Sequence, residues 1–191
     1  MEDGLRDDSL SDEHLMVAFS RGDSEGFERL FARYRQQLFG FFRRRVADPS
    51  QAEELTQECF LAVIRGAARF QPNALFRTYL YSIGLKILGG YRRKAIFRAT
   101  FLGFRPDHRE PEAAANPDAA ILLRQTMQAL DRVDREVLML REFEQLGYAE
   151  IAEVLNIPLN TVRSRLFRAR MAVRALVDAP GKKSKQSEVR V

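Results

Sequence analysis

Residues 148–176 read YAEIAEVLNIPLNTVRSRLFRARMAVRAL, and this stretch decides the architecture. Tyr148 to Leu155 has helical spacing, with Ile151, Ala152 and Leu155 as its inner face. Asn156 follows where the chain must turn sharply, and Asn tolerates the left-handed conformation better than most residues. Pro158 cannot continue the first helix, and Ile157 is placed to plug the gap between two helices. The small Ala152 lets the second helix cross closely. That helix starts near Leu159 and turns Val162, Leu166, Ala169 and Val173 inward. The pattern is a helix-turn-helix, whose second helix enters the DNA major groove by its N-terminal part. Here that part offers Asn160, Thr161, Arg163, Ser164 and Arg165. Asn and Arg can bond adenine and guanine edges in bidentate fashion. Arg168, Arg170 and Arg174 lie farther along and suit phosphates. The competing reading is a solvated face on an ordinary helical hairpin, and an Arg-rich helix alone favours it. The turn chemistry, Ala152 and a segment from Asn156 to Val177 with five Arg and no acid together tip the balance to DNA.

Outward from this hairpin, Asn116-Pro117 caps a helix through Leu130, and another runs from about Asp131 to Phe143. Residues 118–177 thus form a small helical domain. Before it, Gly103, Pro106, Pro111 and Pro117 punctuate a polar stretch, so residues 99–117 read as a linker. Residues 178–191, DAPGKKSKQSEVRV, have no apolar period and read as a disordered tail. Residues 10–98 form the other domain. The overall expectation is an all-α protein, two small helical domains joined by a flexible linker.

In the N-terminal domain a short helix starts at Ser11 or Asp12 and carries Leu15, Val17 and Phe19. Gly22-Asp23-Ser24 supplies caps for the next helix, whose apolar stripe runs from Phe27, Leu30 and Phe31 to Phe42 and Val46. Asp48-Pro49-Ser50-Gln51 is a strong start signal: Asp48 caps, Pro49 suits the first turn, and Gln51 completes a capping box. The helix that follows, ending at Gly66, sorts its residues. Ala52, Leu55, Cys59, Ala62 and Val63 take one face, and Glu54, Gln57 and Glu58 another. Paired acids can serve acid/base chemistry or a metal, but the only two histidines, His14 and His108, lie on the flanks. The acids are therefore read as solvated or facing a basic partner, and Cys59 as core. A fourth helix begins near Asn73 with Phe76, Leu80, Ile83 and Ile87 on one side. Gly84, Gly89 and Gly90 weaken it, so an irregular end is expected. Its aromatics alternate with Arg77, Lys86, Arg92, Arg93 and Lys94, a mixture suited to stacking on unpaired bases while cations hold the backbone. Tyr79 and Tyr81 cannot both face inward, so at least one is available to a ligand.

Composition narrows the class. The 191 residues carry a formal charge of +5, unevenly spread, with six acids against one Arg in residues 1–13 and the acid-free Arg cluster far downstream. That asymmetry points to a polyanionic partner at one end. One cysteine allows no intrachain disulfide. There is no run long enough to span a bilayer and no segment of signal-peptide type, so a cytoplasmic location is expected. No phosphate-binding glycine loop, metal-ligand cluster or nucleophile–base arrangement is visible, so no enzyme, catalytic residue, cofactor, metal or small-molecule substrate is expected.

Three segments, GDSEGFERLFARYRQQL (22–38), AEELTQECFLAV (52–63) and REVLMLREFEQLGYAEIAEVLNIPLNTVRSRLFRAR (135–170), stand in a characteristic order and spacing. With them the chain resembles, over about residues 12–177, the extracytoplasmic-function sigma factors, the minimal class of bacterial sigma factors. The resemblance implies that residues 10–98 grip the clamp helices of core RNA polymerase and recognise and melt the −10 promoter element. It implies that residues 118–177 read the −35 element and rest on the polymerase flap, and that the linker threads between. By position, Glu54, Gln57 and Glu58 match the clamp-binding face. Tyr79, Lys86, Arg92 and Arg93 fall in the −10 segment. Asn160, Thr161, Arg163, Ser164, Arg165 and Arg168 fall in the −35 reading helix. An anti-sigma factor is the further partner implied. The chain departs from the pattern at Tyr79, where Trp is usual, and at Ile83-Gly84-Leu85-Lys86, where Ile-Ala-x-Asn is usual. It departs again at Gly89 or Gly90, where Asp is common, and at Leu130-Asp131, where Leu-Pro is usual. Asp131 is itself a good helix cap. The rival reading is a stand-alone helix-turn-helix regulator that binds a palindromic site as a dimer without polymerase.

Overall fold

Short polar residues start four of the eight described α-helices, and the hydrogen bonds show how. The computed structural model describes residues 10–71, 73, 75–102 and 117–177, and among them every regular element is helical. Helix α1 (Asp12–Ser20) opens with Ser11 Oγ accepting from the backbone N–H of His14 at 3.3 Å. Helix α2 (Ser24–Arg43) opens on Asp23, and α3 (Pro49–Gly66) on Asp48 with Pro49 in its first turn. Each aspartate accepts from an N–H two residues on, at 3.0 Å. Each satisfies a donor that the helix itself leaves unpaired. The expected capping box at Gln51 is not made. The Gln51 amide oxygen accepts instead from the Tyr91 hydroxyl, forty residues away, which draws it off the helix end.

A 3₁₀ turn (Ala67–Arg69) follows α3, and α4 (Phe76–Leu102) begins later than the expected Asn73. Its first N–H, at Phe76, donates to Glu13 Oε1 of α1 at 2.9 Å, so α4 is capped from another helix. Two expectations for α4 are corrected. The helix runs unbroken through Gly89 and Gly90 to Leu102, three residues past Ala99, where the linker was expected to begin. Its buried residues are Phe76, Thr78, Leu80, Tyr81, Gly84 and Leu88, with Ile83 and Ile87 only half-buried. The face is rotated because Gly84 sits under the Phe41 and Phe42 rings and counts as core without being apolar in sequence. A Cβ there would lie 3.2 Å from Phe41 Cε1.

Helices α1–α4 form one compact unit and α5–α8 a second. In the first, Leu15 and Met16 of α1 pack on α2, where Gly26 leaves room for the Leu15 carbonyl. Phe41, Phe42 and Phe76 are fully buried, and Phe41 and Phe42 meet edge to face at 5.0 Å. Each such ring contributes about 1.5–3 kcal/mol by leaving water.

In the second unit, α5 (Pro117–Ala129) leads to α6 (Arg132–Glu142), α7 (Tyr148–Leu155) and α8 (Leu159–Val177). Asp131 caps α6 by accepting from Val133 N–H at 2.9 Å. Asn156 takes the left-handed conformation, φ 52° and ψ 51°, and ends α7. The inner face of α7 is Ile151 and Val154, while the expected Ala152 and Leu155 are half-buried. In α8, Val162, Leu166 and Ala169 are buried and Val173 is half-buried. Residues 103–116 of the expected linker and the tail 178–191 lie outside the described residues.

Candidate nucleic-acid interface

With α8's inner stripe buried, its first turns present Asn160, Arg163 and Ser164 to solvent, and Thr161 partly. Arg163 Nη1 donates to Asn160 Oδ1 at 3.3 Å, and Ser164 Oγ to the Thr161 carbonyl at 3.1 Å. The remaining cations are sorted by α6. Arg165 is only half-exposed, and its Nη1 donates to Asp134 Oδ1 at 2.7 Å and to Asp131 Oδ1 at 3.0 Å. Arg168 is held more loosely, with Nη2 to Asp134 Oδ1 at 3.3 Å and Nε to Oδ2 at 3.4 Å. Arg170 donates through Nη2 to Glu142 Oε1 at 2.7 Å. So Arg163 and Arg165, adjacent in role by sequence, stand apart here: one faces outward and the other is braced inward. The hydrogen bond that Arg165 donates to Asp134, partly offset by burial, raises the Arg165 pKa further and keeps it charged.

Phe167 was not among the residues expected at this site. It is 66% exposed, one turn beyond Arg163 and on the same side. The signal was present in sequence, since Phe167 falls outside the 162–166–169–173 stripe that packs inward.

On α3, Glu54, Gln57 and Glu58 are all exposed and share one face. Among the described residues they make no ion pair or side-chain hydrogen bond. The next turns add two exposed apolar residues that sequence reasoning passed over, Leu61 and Ile64. Beside them a groove of about 340 Å³ runs between α2 and α3, lined by Phe31, Arg35, Phe39, Thr56, Gln57 and Phe60. Cys59 is wholly buried, and burial, with a smaller push from Glu58, raises its thiol far above its ordinary range. It is a packing residue, as expected.

On α4, Tyr79, Lys86 and Arg93 follow at seven-residue intervals and so share a side over about 21 Å of helix. Arg92 is half-buried beside them. Of the two tyrosines, Tyr81 is the buried one, 5.4 Å from the Phe41 ring. Tyr79 keeps partial exposure, stacks edge-on against Phe70 at 5.3 Å, and has its pKa raised by burial.

Residues 30–94 match the family Sigma-70 region 2, and residues 120–173 match Sigma-70, region 4. The chain is 33% identical over 177 residues to the RNA polymerase sigma-H factor of Pseudomonas aeruginosa, spanning 85% of this chain and 91% of that one. The chain belongs to the extracytoplasmic-function sigma factors. It is also 29% identical over 187 residues to the ECF RNA polymerase sigma-E factor of Escherichia coli K12, spanning 87% of this chain and 94% of that one. Among solved structures it is similar to CnrH in complex with the cytosolic domain of CnrY, with a TM-score of 0.68, 26% identity, and coverage of 89% and 99% of the two chains.

In this sigma factor the departures in α4 have physical counterparts. Gly84 admits the Phe41 ring where the family's usual alanine would press on it. The Tyr79 hydroxyl lies against Gly66, in the space a side chain there would fill. Among its described residues, no helix is long and apolar enough to cross a membrane.

Proposed function

We propose that this sigma factor binds core RNA polymerase through the α3 face of Glu54, Gln57 and Glu58. In this reading it melts −10 DNA along Tyr79, Lys86, Arg92 and Arg93 of α4. It reads the −35 element with Asn160, Thr161, Arg163 and Ser164 of α8, and Arg168 meets backbone phosphate. The units α1–α4 and α5–α8 then act as the two working domains, with the segment between them as the thread. The observation that carries the reading is the outward-facing first turn of α8, where Asn160, Arg163 and Ser164 are exposed while Val162 and Leu166 are buried. A helix so arranged can enter the major groove without unpacking. The exposed α3 carboxylates fit a basic polymerase surface, and Leu61 and Ile64 would add apolar area at its edge. The protein performs no catalysis itself and works in the cytoplasm. Its regulator is an anti-sigma protein, a reading supported by likeness to CnrH, whose structure was solved with the cytosolic domain of CnrY.

The test is reconstitution with core polymerase and sequencing of the protected DNA. The reading expects two short elements upstream of a transcription start, protected only when polymerase is present. Tight protection of a palindrome by the chain alone would replace it with the stand-alone regulator.

A further inference from the structure

The acids of α6 reach the arginines of α8 unequally. Asp134 is a nearly buried carboxylate, its side chain 11% exposed, set between Arg165 and Arg168. Both guanidiniums use its Oδ1, Arg165 at 2.7 Å and Arg168 at 3.3 Å. Arg165 has a second acid, Asp131, and its side chain is 27% exposed. Its Nε is buried with no hydrogen-bond partner among the described residues, so this guanidinium is turned into the protein rather than outward. Among the described residues Arg168 has Asp134 alone, at longer range, and its side chain is 56% exposed.

We propose that Asp134 is a positioning residue for promoter reading: it fixes Arg165 as an internal strut and aims Arg168 at the DNA. The proposal rests on the reading of α8 as the −35 helix and adds a division of labour within it. Two guanidiniums three residues apart on one helix repel each other, and each has many rotamers. A carboxylate between them cancels one charge and gives both a defined direction. Without it, two long free cations would be drawn to any phosphate within reach, whatever the base sequence. Asp134 therefore trades general DNA affinity for selectivity.

The experiment uses the full chain with core polymerase and duplexes randomised in the −35 segment. The sequence preferred by the wild type is then compared with a base-shuffled version of itself, for wild type and Asp134→Asn. The ratio of the two affinities should fall about tenfold, the scale of one good base contact. Affinity for the shuffled duplex should hold or rise, and its salt dependence should steepen by about one charge. Arg165→Lys keeps the charge but loses the planar fork, and should lower the ratio as well. It serves in place of Asp134→Asn should that variant not fold. An unchanged ratio, with or without a lower melting temperature, would overturn the proposal and leave Asp134 a plain structural pair. So would a rise in both affinities by one factor, which marks Asp134 as a mere competitor of phosphate. A wild type that cannot tell preferred from shuffled DNA would overturn the reading of α8 itself, and this proposal with it.

Discussion

Helices α3 and α8 both present charge, and they manage it in opposite ways. On α3, Glu54 and Glu58 stand exposed without an internal ion pair among the described residues. On α8, Arg165, Arg168 and Arg170 are bonded to acids of α6. A bare charge face gives long-range attraction and fast encounter but little geometric demand. A braced face holds its cations in directions that their acids set. The contrast fits a protein that docks one partner over a broad surface and reads another base by base.

The strongest way to break this contrast is at α3. Reversing both charges with Glu54→Lys and Glu58→Lys sets like charge against the basic partner surface. Such juxtaposition costs several kcal/mol, so affinity for core polymerase should fall about a hundredfold. Stability should move by less than about 0.5 kcal/mol, because both positions are exposed. Affinity by titration and a melting curve check the two halves. Wild-type polymerase affinity would move the docking surface elsewhere.

On α8 the expected effect is smaller and of another kind. Arg163→Ala should cost about 1–3 kcal/mol on the preferred promoter and relax preference at one base pair. Its binding to shuffled DNA should weaken little, since Arg163 is the outward-facing arginine of the first turns. A promoter-library selection reads this directly. Full retention of base preference would mean that α8 lies differently in the groove.

What was legible in sequence was local. Ser11, Asp23, Asp48 and Asp131 were readable as caps, and Asn156 as the left-handed stop, because each acts within a few residues of itself. The α3 face was legible because helical spacing alone separates its acids from Ala52, Leu55 and Cys59. What was missed was long-range. Gln51 looked like a cap until Tyr91 took its oxygen, and nothing local announced that Arg165 bonds Asp134, thirty-one residues away. The buried side of α4 was misread because Gly84, which carries no apolar side chain, marks where the Phe41 ring sits.

The turn can be tested apart from both faces. Asn156→Ala forces a Cβ-branching-free but less tolerant residue into φ 52°, at a cost of about 1–2 kcal/mol. Asn156→Gly should be nearly neutral, since glycine adopts that conformation freely. Denaturant melts report the stability. Promoter binding should weaken in the alanine variant while polymerase docking through α3 holds. Equal stability of the alanine and glycine variants would deny the left-handed turn its role.

The smallest expected effect lies at the outer end of the α6–α8 brace. Asp131 has its carboxyl held below the usual carboxylate range, chiefly by the Val133 N–H, with the Asp134 N–H and Arg165 adding to it. A depressed carboxylate pKa favours the fold above the unfolded value of about 3.9, and that stability is lost as pH falls through the folded value. Asn caps a helix as well as Asp does, so Asp131→Asn keeps the cap and removes only the charge. At pH 7 the variant should therefore melt slightly below wild type, and below about pH 3 the two curves should converge. The neutral-pH gap should also shrink in high salt, because Asp131 is exposed and its attraction to Arg165 is screened. A gap that stays constant from pH 7 to pH 3 would mean that the carboxylate's charge contributes nothing. The α8 brace would then depend on Asp134 alone, and the selectivity lost in Asp134→Asn should be untouched by any change at Asp131.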